Sequence, residues 1–145
     1  MKLPEKKLAE QLLTKFCDGY KNRDLPGLLK LFTKNTNMWG SGVDEYRVGL
    51  KQVEEQLKRD WSQSEKGEIE IVSFVPAPVD ALWAAAVCNA KLTIEGKEYT
   101  FEHLRGTIVI EKDEDGWKIS HMHASFPDYR NAEHGSFPVG GNDLL

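Results

Sequence analysis

Nowhere in this 145-residue chain do the roughly 20 consecutive apolar residues of a membrane-spanning helix occur. Basic residues are not in excess either. Nineteen Lys and Arg stand against 23 Asp and Glu, a formal net charge of −4, so no electrostatic footprint for nucleic acid or anionic lipid is present. The opening "MKLPEKKLAEQLL" is interrupted by charge every few residues and lacks the apolar core of a secretory signal. Cysteine is scarce: Cys17 and Cys88 are the only two, both embedded in apolar patterns and not spaced as metal ligands. They are expected to be buried thiols, which makes the cytoplasm the expected compartment. Internal repeats and low-complexity tracts are also missing.

What is present suits one soluble domain with its own core, since 40% of residues are hydrophobic and 29% charged. Leu8, Leu12, Phe16 and Tyr20 step by four, with Ala9, Leu13 and Cys17 beside them, predicting an amphipathic helix over 5–21 that Pro4 opens. "NRD" ends the pattern, and Asp24 is placed to cap a short helix holding Leu28, Leu29 and Phe32. A short strand is expected around Met38 and Trp39. A third helix follows over 46–64, its apolar stripe (Leu50, Val53, Leu57, Trp61) narrow and the rest turned to water. After Gly67 the period drops from helical to two: "EIEIVSFV", "ALWAAAVCNAKLTI", "YTFEHLRGTIVIEK" and "WKISHMHAS" read as strands, with a hairpin turn at Asp115-Gly116. Helices followed by an antiparallel meander predict an α+β fold, with N-terminal helices in the concave face of a curved, mainly antiparallel sheet. That domain spans 1–127, and 128–145 reads as an irregular extension.

Along 81–94, Leu82, Ala84, Ala86, Cys88, Ala90 and Leu92 share one face and Trp83, Ala85 and Val87 the other. Two apolar faces imply two covers. Helices supply one, and a second subunit, seated also on Leu104 and Ile108, would supply the other, giving a homodimer.

Chemistry concentrates in the last two strands. Strict alternation places Tyr99, Phe101, His103, Arg105, Thr107 and Val109 on one face, and Trp117, Ile119, His121, His123 and Ser125 on the adjoining one. Three histidines and an arginine then converge at the polar end of an otherwise apolar surface. Three accounts fit this pattern. It can be a solvated face, or a three-histidine metal site, or the wall of a small-molecule pocket. Arg105 beside the histidines, with no carboxylate on the face, argues against a cation, so no metal and no cofactor is expected. In the pocket account Arg105 fixes an anionic or carbonyl oxygen, and His103, His121, His123 and Ser125 supply hydrogen bonds or move a proton. Trp39, Tyr20, Tyr46, Trp61 and Phe16 would form aromatic walls from the helical side.

The order of elements resembles the nuclear transport factor 2-like superfamily. The closing "GWKISHMHASFP", together with "FTKNTNMWGSGVDEYRVGLKQVEEQL" (32–57) and "EHLRGTIVIEKDEDGWKI" (102–119), is similar to its SnoaL-like branch over residues 5–127. The resemblance implies an α+β cone whose mouth holds a ligand or active site and whose outer sheet face makes a dimer. It also implies a choice of roles, from small-molecule binding to catalysis by isomerases and cyclases to assembly. Isomerase chemistry in such a cone needs an inward carboxylate, and strand alternation supplies none. Glu102 alternates to the wrong face, and Asp44 and Glu45 stand near the mouth without a residue to aim them. The implied function is therefore binding of an anionic or carbonyl-bearing organic molecule. A proton-transfer isomerase, cyclase or hydratase using His121 or His123 is the first alternative, and a dimerisation or scaffold module the second. The tail "SFPDYRNAEHGSFP" is similar to segments that follow such domains in sensory modules of bacterial signalling proteins.

Overall fold

The computed structural model describes residues 4–139. Its elements run α1 (Leu8–Asn22), α2 (Leu25–Leu29), β1 (Phe32–Trp39), β2 (Tyr46–Val48), α3 (Leu50–Ser62), β3 (Lys66–Phe74), β4 (Trp83–Ile94), β5 (Lys97–Asp113) and β6 (Gly116–Ser125). The fold is α+β: a curved, open six-stranded sheet in the order β2-β1-β6-β5-β4-β3, with helices on its inner face. All neighbouring strands are antiparallel except β1 and β6, which run parallel.

Helix α1 lays its predicted stripe on the sheet, with Ala9, Leu12, Leu13, Phe16, Cys17 and Tyr20 buried. It begins later than Pro4, because Lys7 takes a left-handed conformation (φ 58°) and its N–H bonds to the Val79 carbonyl. Asp24 caps α2 through the Gly27 N–H at 3.1 Å, as its position suggests. Phe32, placed in that helix by its spacing, instead starts β1 and is 2% exposed. The third helix is also shorter than the predicted 46–64, since Tyr46, Arg47 and Val48 pair with β1 as the edge strand β2. Gly49, at φ 84°, then turns the chain into α3.

Sheet curvature comes from bulges, and these decide which residues face inward. In β5 the pairing passes from Cys88↔Leu104 to Ala90↔Phe101, so β5 carries one extra residue. His103 sits in that bulge at φ 64°. In β6 it passes from Val109↔His121 to Ile110↔Ile119, leaving Ser120 as the extra residue. A third bulge displaces Val72 in β3. Each insertion reverses the inward parity of the strand beyond it. Leu104, Ile108, Ile110, Ile119 and Met122 are consequently all inward and at most 7% exposed. Leu104 and Ile108 thus belong to the core rather than the outer face.

The last strand ends at Ser125, and no helix or strand occurs over 126–139. Tyr129 anchors this segment, its Oη donating to the Glu102 carbonyl at 2.8 Å. The remainder of the expected extension, 140–145, lies outside the described residues. Among the described residues no helix is long and apolar enough to cross a membrane.

Candidate functional site

Between α1, α3 and the inner face of the sheet lies a cavity of about 370 Å³. Phe16, Leu57, Ile69 and Met122 contribute its apolar depth, and Phe101 and Phe126 part of its aromatic boundary. Small side chains at Ala90 and Ala124 leave the volume open from the sheet side. On β3, a Cβ at Gly67 would sit 3.2 Å from Leu92 Cδ2, so glycine there leaves room for that lining side chain.

One wall is polar, and α3 builds it. Val53, Gln56, Leu57 and Asp60 follow i, i+3, i+4, i+7 spacing and share the inward stripe. Gln56 is 4% exposed. Its Nε2 donates to Asp60 Oδ1 at 2.7 Å and also to Glu45 Oε2. From α1, Tyr20 Oη donates to the other Asp60 oxygen at 2.8 Å. Glu45 lies in the loop between β1 and β2, where its second oxygen accepts the Gly42 N–H. Two carboxylates, an amide and a phenol thus form one network on the cavity wall. Burial, then the neighbouring Asp60 carboxylate, pushes the Tyr20 phenol well above its ordinary pKa, so it is a hydrogen-bond donor throughout the neutral range.

Two arginines hold this wall from outside the cavity. Arg23, the left-handed C-cap of α1, donates to the Trp61 carbonyl at 2.9 Å and the Ser64 carbonyl at 2.8 Å. It ties the end of α1 to the end of α3, which keeps Tyr20 opposite Asp60 and places a cation at the α3 C-terminus. Arg59 takes Asp44 in a two-pronged pair, both bonds 3.0 Å, and fastens the Glu45 loop to α3. That arginine holds the exposed Asp44 carboxyl below its ordinary pKa.

Of the residues predicted for the site, Tyr20 lines the cavity, and Trp39, at the end of β1, borders its rim while its strand partners His123 and Tyr46 belong to the opposite face. Trp61 contacts Tyr20 at a ring-centroid distance of 6.1 Å but does not line the cavity, and its buried Nε1 has no partner. The other predicted residues do come together, on the opposite face. Arg105 pairs with Ser125, Thr107 with His123 and Val109 with His121, while Trp39 faces both His123 and Tyr46. The Trp39 and Tyr46 rings stack at 4.3 Å. Arg105 and His123 are exposed, and His121 bonds through Nδ1 to Asn37 Oδ1. Burial, then the neighbouring His123, holds the His121 pKa below its ordinary value. His103 is exposed in the β5 bulge. The cause is the inserted Ser120. Alternation holds from Trp117 to Ile119 and fails one residue later, turning His121, His123 and Ser125 outward.

The expectation that the inward surface holds no carboxylate is corrected by Asp60 and Glu45, with Glu68 also on the lining. Gln56 and Asp60 carried a readable signal, since both sit at helical spacing from Val53 and Leu57. Glu45 carried none, because a loop aims it. Among the described residues no group of three His, Cys, Asp or Glu side chains converges as a metal site.

Comparison with known proteins agrees with this architecture. The family model for the SnoaL-like domain matches residues 9–129. No curated protein matches the sequence. Among solved structures, an LEH-like epoxide hydrolase of M. tuberculosis superposes with a TM-score of 0.68 at 15% identity, over 87% of each chain. A protein of ketosteroid isomerase-like fold from Catenulispora acidiphila, in complex with trimethylamine, gives 0.63 at 11% identity over 81% of this chain and 85% of that one. An NTF2-like protein of unknown function from Burkholderia pseudomallei gives 0.66 at 13% identity, covering 82% and 90%. At such identities the likeness establishes the fold, and the family match establishes membership. The match of the family model over residues 9–129, on helices set in an open, bulged sheet with the fold of the NTF2-like protein above, places this chain in the SnoaL-like domain family.

Proposed function

We propose that this domain binds a small organic molecule in the cavity between α1, α3 and the sheet. The observation that carries the reading is the cavity itself. About 370 Å³ of space, apolar over most of its wall and polar at the Tyr20–Asp60–Gln56–Glu45 network, has the size and make-up of a ligand site. The anionic preference inferred from Arg105 loses its support, because no Lys, Arg or His lines the cavity. The Catenulispora protein, which shares this fold, is in complex with a small organic molecule, trimethylamine. A thermal-shift screen of small aromatic and aliphatic molecules tests the reading, run on wild type and on Ala90→Phe, which fills the cavity from β4. A ligand at 100 times its dissociation constant should add about 2.7 kcal/mol of stability to the wild type and none to the variant. Hits that persist in Ala90→Phe would place the occupant elsewhere.

A second reading, proton-transfer catalysis, gains from Asp60. Two hydrogen bonds fix this carboxylate on the cavity wall, the position a general base requires. His121 and His123, the bases inferred from alternation, are on the outer face. Turnover in this reading disappears in Asp60→Asn and survives in His121→Ala.

We also infer a homodimer through the outer sheet face, in a reducing compartment where the buried Cys17 and Cys88 stay free. Trp83, 37% exposed, and the half-buried Ala85, Val87 and Val109 form its apolar centre. A standard interface would bury on the order of 1,600 Å². Sedimentation at micromolar concentration should show the dimer, and Trp83→Asp the monomer.

A further inference from the structure

Resting on the outer-face dimer reading, we propose that His121 and His123 are half of a site for a divalent transition-metal ion, which the same pair from a second copy completes. The inference starts from the "HMH" stretch of β6, which the cavity leaves unused. The extra residue at Ser120 turns both histidines outward, two residues apart on one strand. That spacing, roughly 7 Å along the strand, lets two imidazoles reach a single ion held about 2.0–2.1 Å from each nitrogen. His121 is already oriented for this. Asn37 Oδ1 can only accept, so the His121 Nδ1 bonded to it carries the proton. Its Nε2 then keeps a lone pair for a metal, the arrangement in which a metal-bound imidazole is held by a hydrogen bond through its other nitrogen.

The pair is not spent on acids. Among the described residues the histidines that stand beside a carboxylate are His103, next to Glu102, and His134, next to Glu133. Arg105, which counts against a cation when the face is read by alternation, is set opposite Ser125, two residues beyond His123, and its exposed charge is screened by solvent. His103 does not join the pair, because it lies past Arg105↔Ser125, the last β5–β6 pair, in its own bulge. One chain thus offers two nitrogens, and a closed four-ligand site needs two more. Symmetry supplies them. β6 and β5 are the middle strands of the sheet. When two copies pack outer face on outer face with full overlap, the axis passes by those strands, and side chains beside a two-fold axis meet their own copies. Across the sheet, His123 lies between Trp39 and Thr107, and His121 between Asn37 and Val109, with Ala85 and Trp83 next in the two rows. These largely apolar neighbours would keep water from the ion. Nitrogen ligands without oxygen select zinc, copper or nickel over calcium and magnesium.

The test adds zinc to the metal-free full chain at neutral pH, reading uptake by calorimetry and association by sedimentation equilibrium. One zinc should bind per two chains, and zinc should tighten the dimer about tenfold or more. His123→Ala, a change at an exposed residue, and His121→Ala should each keep the metal-free association and lose the zinc effect. Asn37→Ala, which removes a positioning residue rather than a ligand, should weaken zinc binding about 10–100-fold and leave the metal-free association unchanged. The His123→Ala result stands even where a change at the half-buried His121 prevents folding. A dimer that takes up no zinc, or that keeps the zinc effect in His123→Ala, overturns the metal inference and leaves the dimer reading in place. A chain that is monomeric with and without zinc, whatever zinc it binds, overturns both.

Discussion

Tyr20→Phe should destabilise the domain at neutral pH and flatten its loss of stability in alkali. The substitution keeps the ring, which packs at 6.1 Å from both Phe16 and Trp61, and removes only the Oη that donates to Asp60 at 2.8 Å. A hydrogen bond to a charged acceptor at a residue 9% exposed contributes about 1.5–3 kcal/mol. At roughly 3–4 °C per kcal/mol for a chain of this size, the midpoint falls by about 5–12 °C. The pH dependence follows from burial and Asp60 raising the phenol above its ordinary value of 10.0 in the folded chain. Below pH 10 both states hold the proton and the full contribution is present. Above it the unfolded chain releases the proton while the folded chain keeps it, so stability declines by about 1.4 kcal/mol per pH unit for this one group. By pH 11 the advantage of wild type over Tyr20→Phe should thus shrink by roughly that amount. Urea denaturation at pH 7, 9, 10 and 11 measures the gap. In parallel, tyrosinate absorbance should show one phenol ionising only as wild type unfolds, a step missing from the variant. Alkaline limbs that run parallel would mean that solvent reaches Oη, and the network on the cavity wall would not exist as described.

Three further outcomes follow from other sites. Burial raises the Cys17 thiol from 9.0 to about 12, so its contribution is complete below about pH 9 and lost by about pH 12; Cys17→Ala should remove about 1.4 kcal/mol per pH unit of that decline, read in the same urea series. Thr36 is fully buried with an unpartnered Oγ1, so the isosteric Thr36→Val should stabilise by about 1 kcal/mol in chemical denaturation. Arg105→Met, altering the outer face, should leave the affinity of any cavity ligand unchanged in calorimetry; a loss of binding there would return the site to the face that strict alternation selects.

Much of the fold was legible because the relevant signals are local. The four-residue stepping of α1, the Asp24 cap and the hairpin before β6 each act within a few residues; the first two are found where the sequence puts them, and the hairpin turns one residue earlier than Asp115-Gly116, at Glu114-Asp115, with Gly116 already paired to Asp113. The two faces of β4 were also readable, since its inward row of Ala84, Ala86, Cys88, Ala90 and Leu92 keeps its parity throughout. The site was not readable by the same means. Alternation carries no marker for an inserted residue, and one insertion each in β5 and β6 was enough to assign Arg105, His121 and His123 to the wrong side. The bulge at His103 is hidden further because histidine, rather than glycine, takes the left-handed conformation there. On α3 the difficulty was chemical. Gln56 and Asp60 look like solvent residues until a partner is known, and their partners come from α1 and from a loop.

The position of β6 in the sheet has a consequence for how the chain reaches this structure. β6 lies between β1 and β5 and is the strand that joins β2-β1 to β5-β4-β3. Its parallel pairing with β1 ties Phe32 to Ile119 and Asn37 to His121, contacts that span most of the sequence. During synthesis β1 therefore waits, with only the three-residue β2 beside it, until the final strand has left the ribosome. Closing so distant a pair is a slow step, dominated by chain entropy, and leaves a transiently unpaired strand edge open to association with other nascent chains. Trimming the chain within β6 would not shorten the sheet by its last strand but divide it in two.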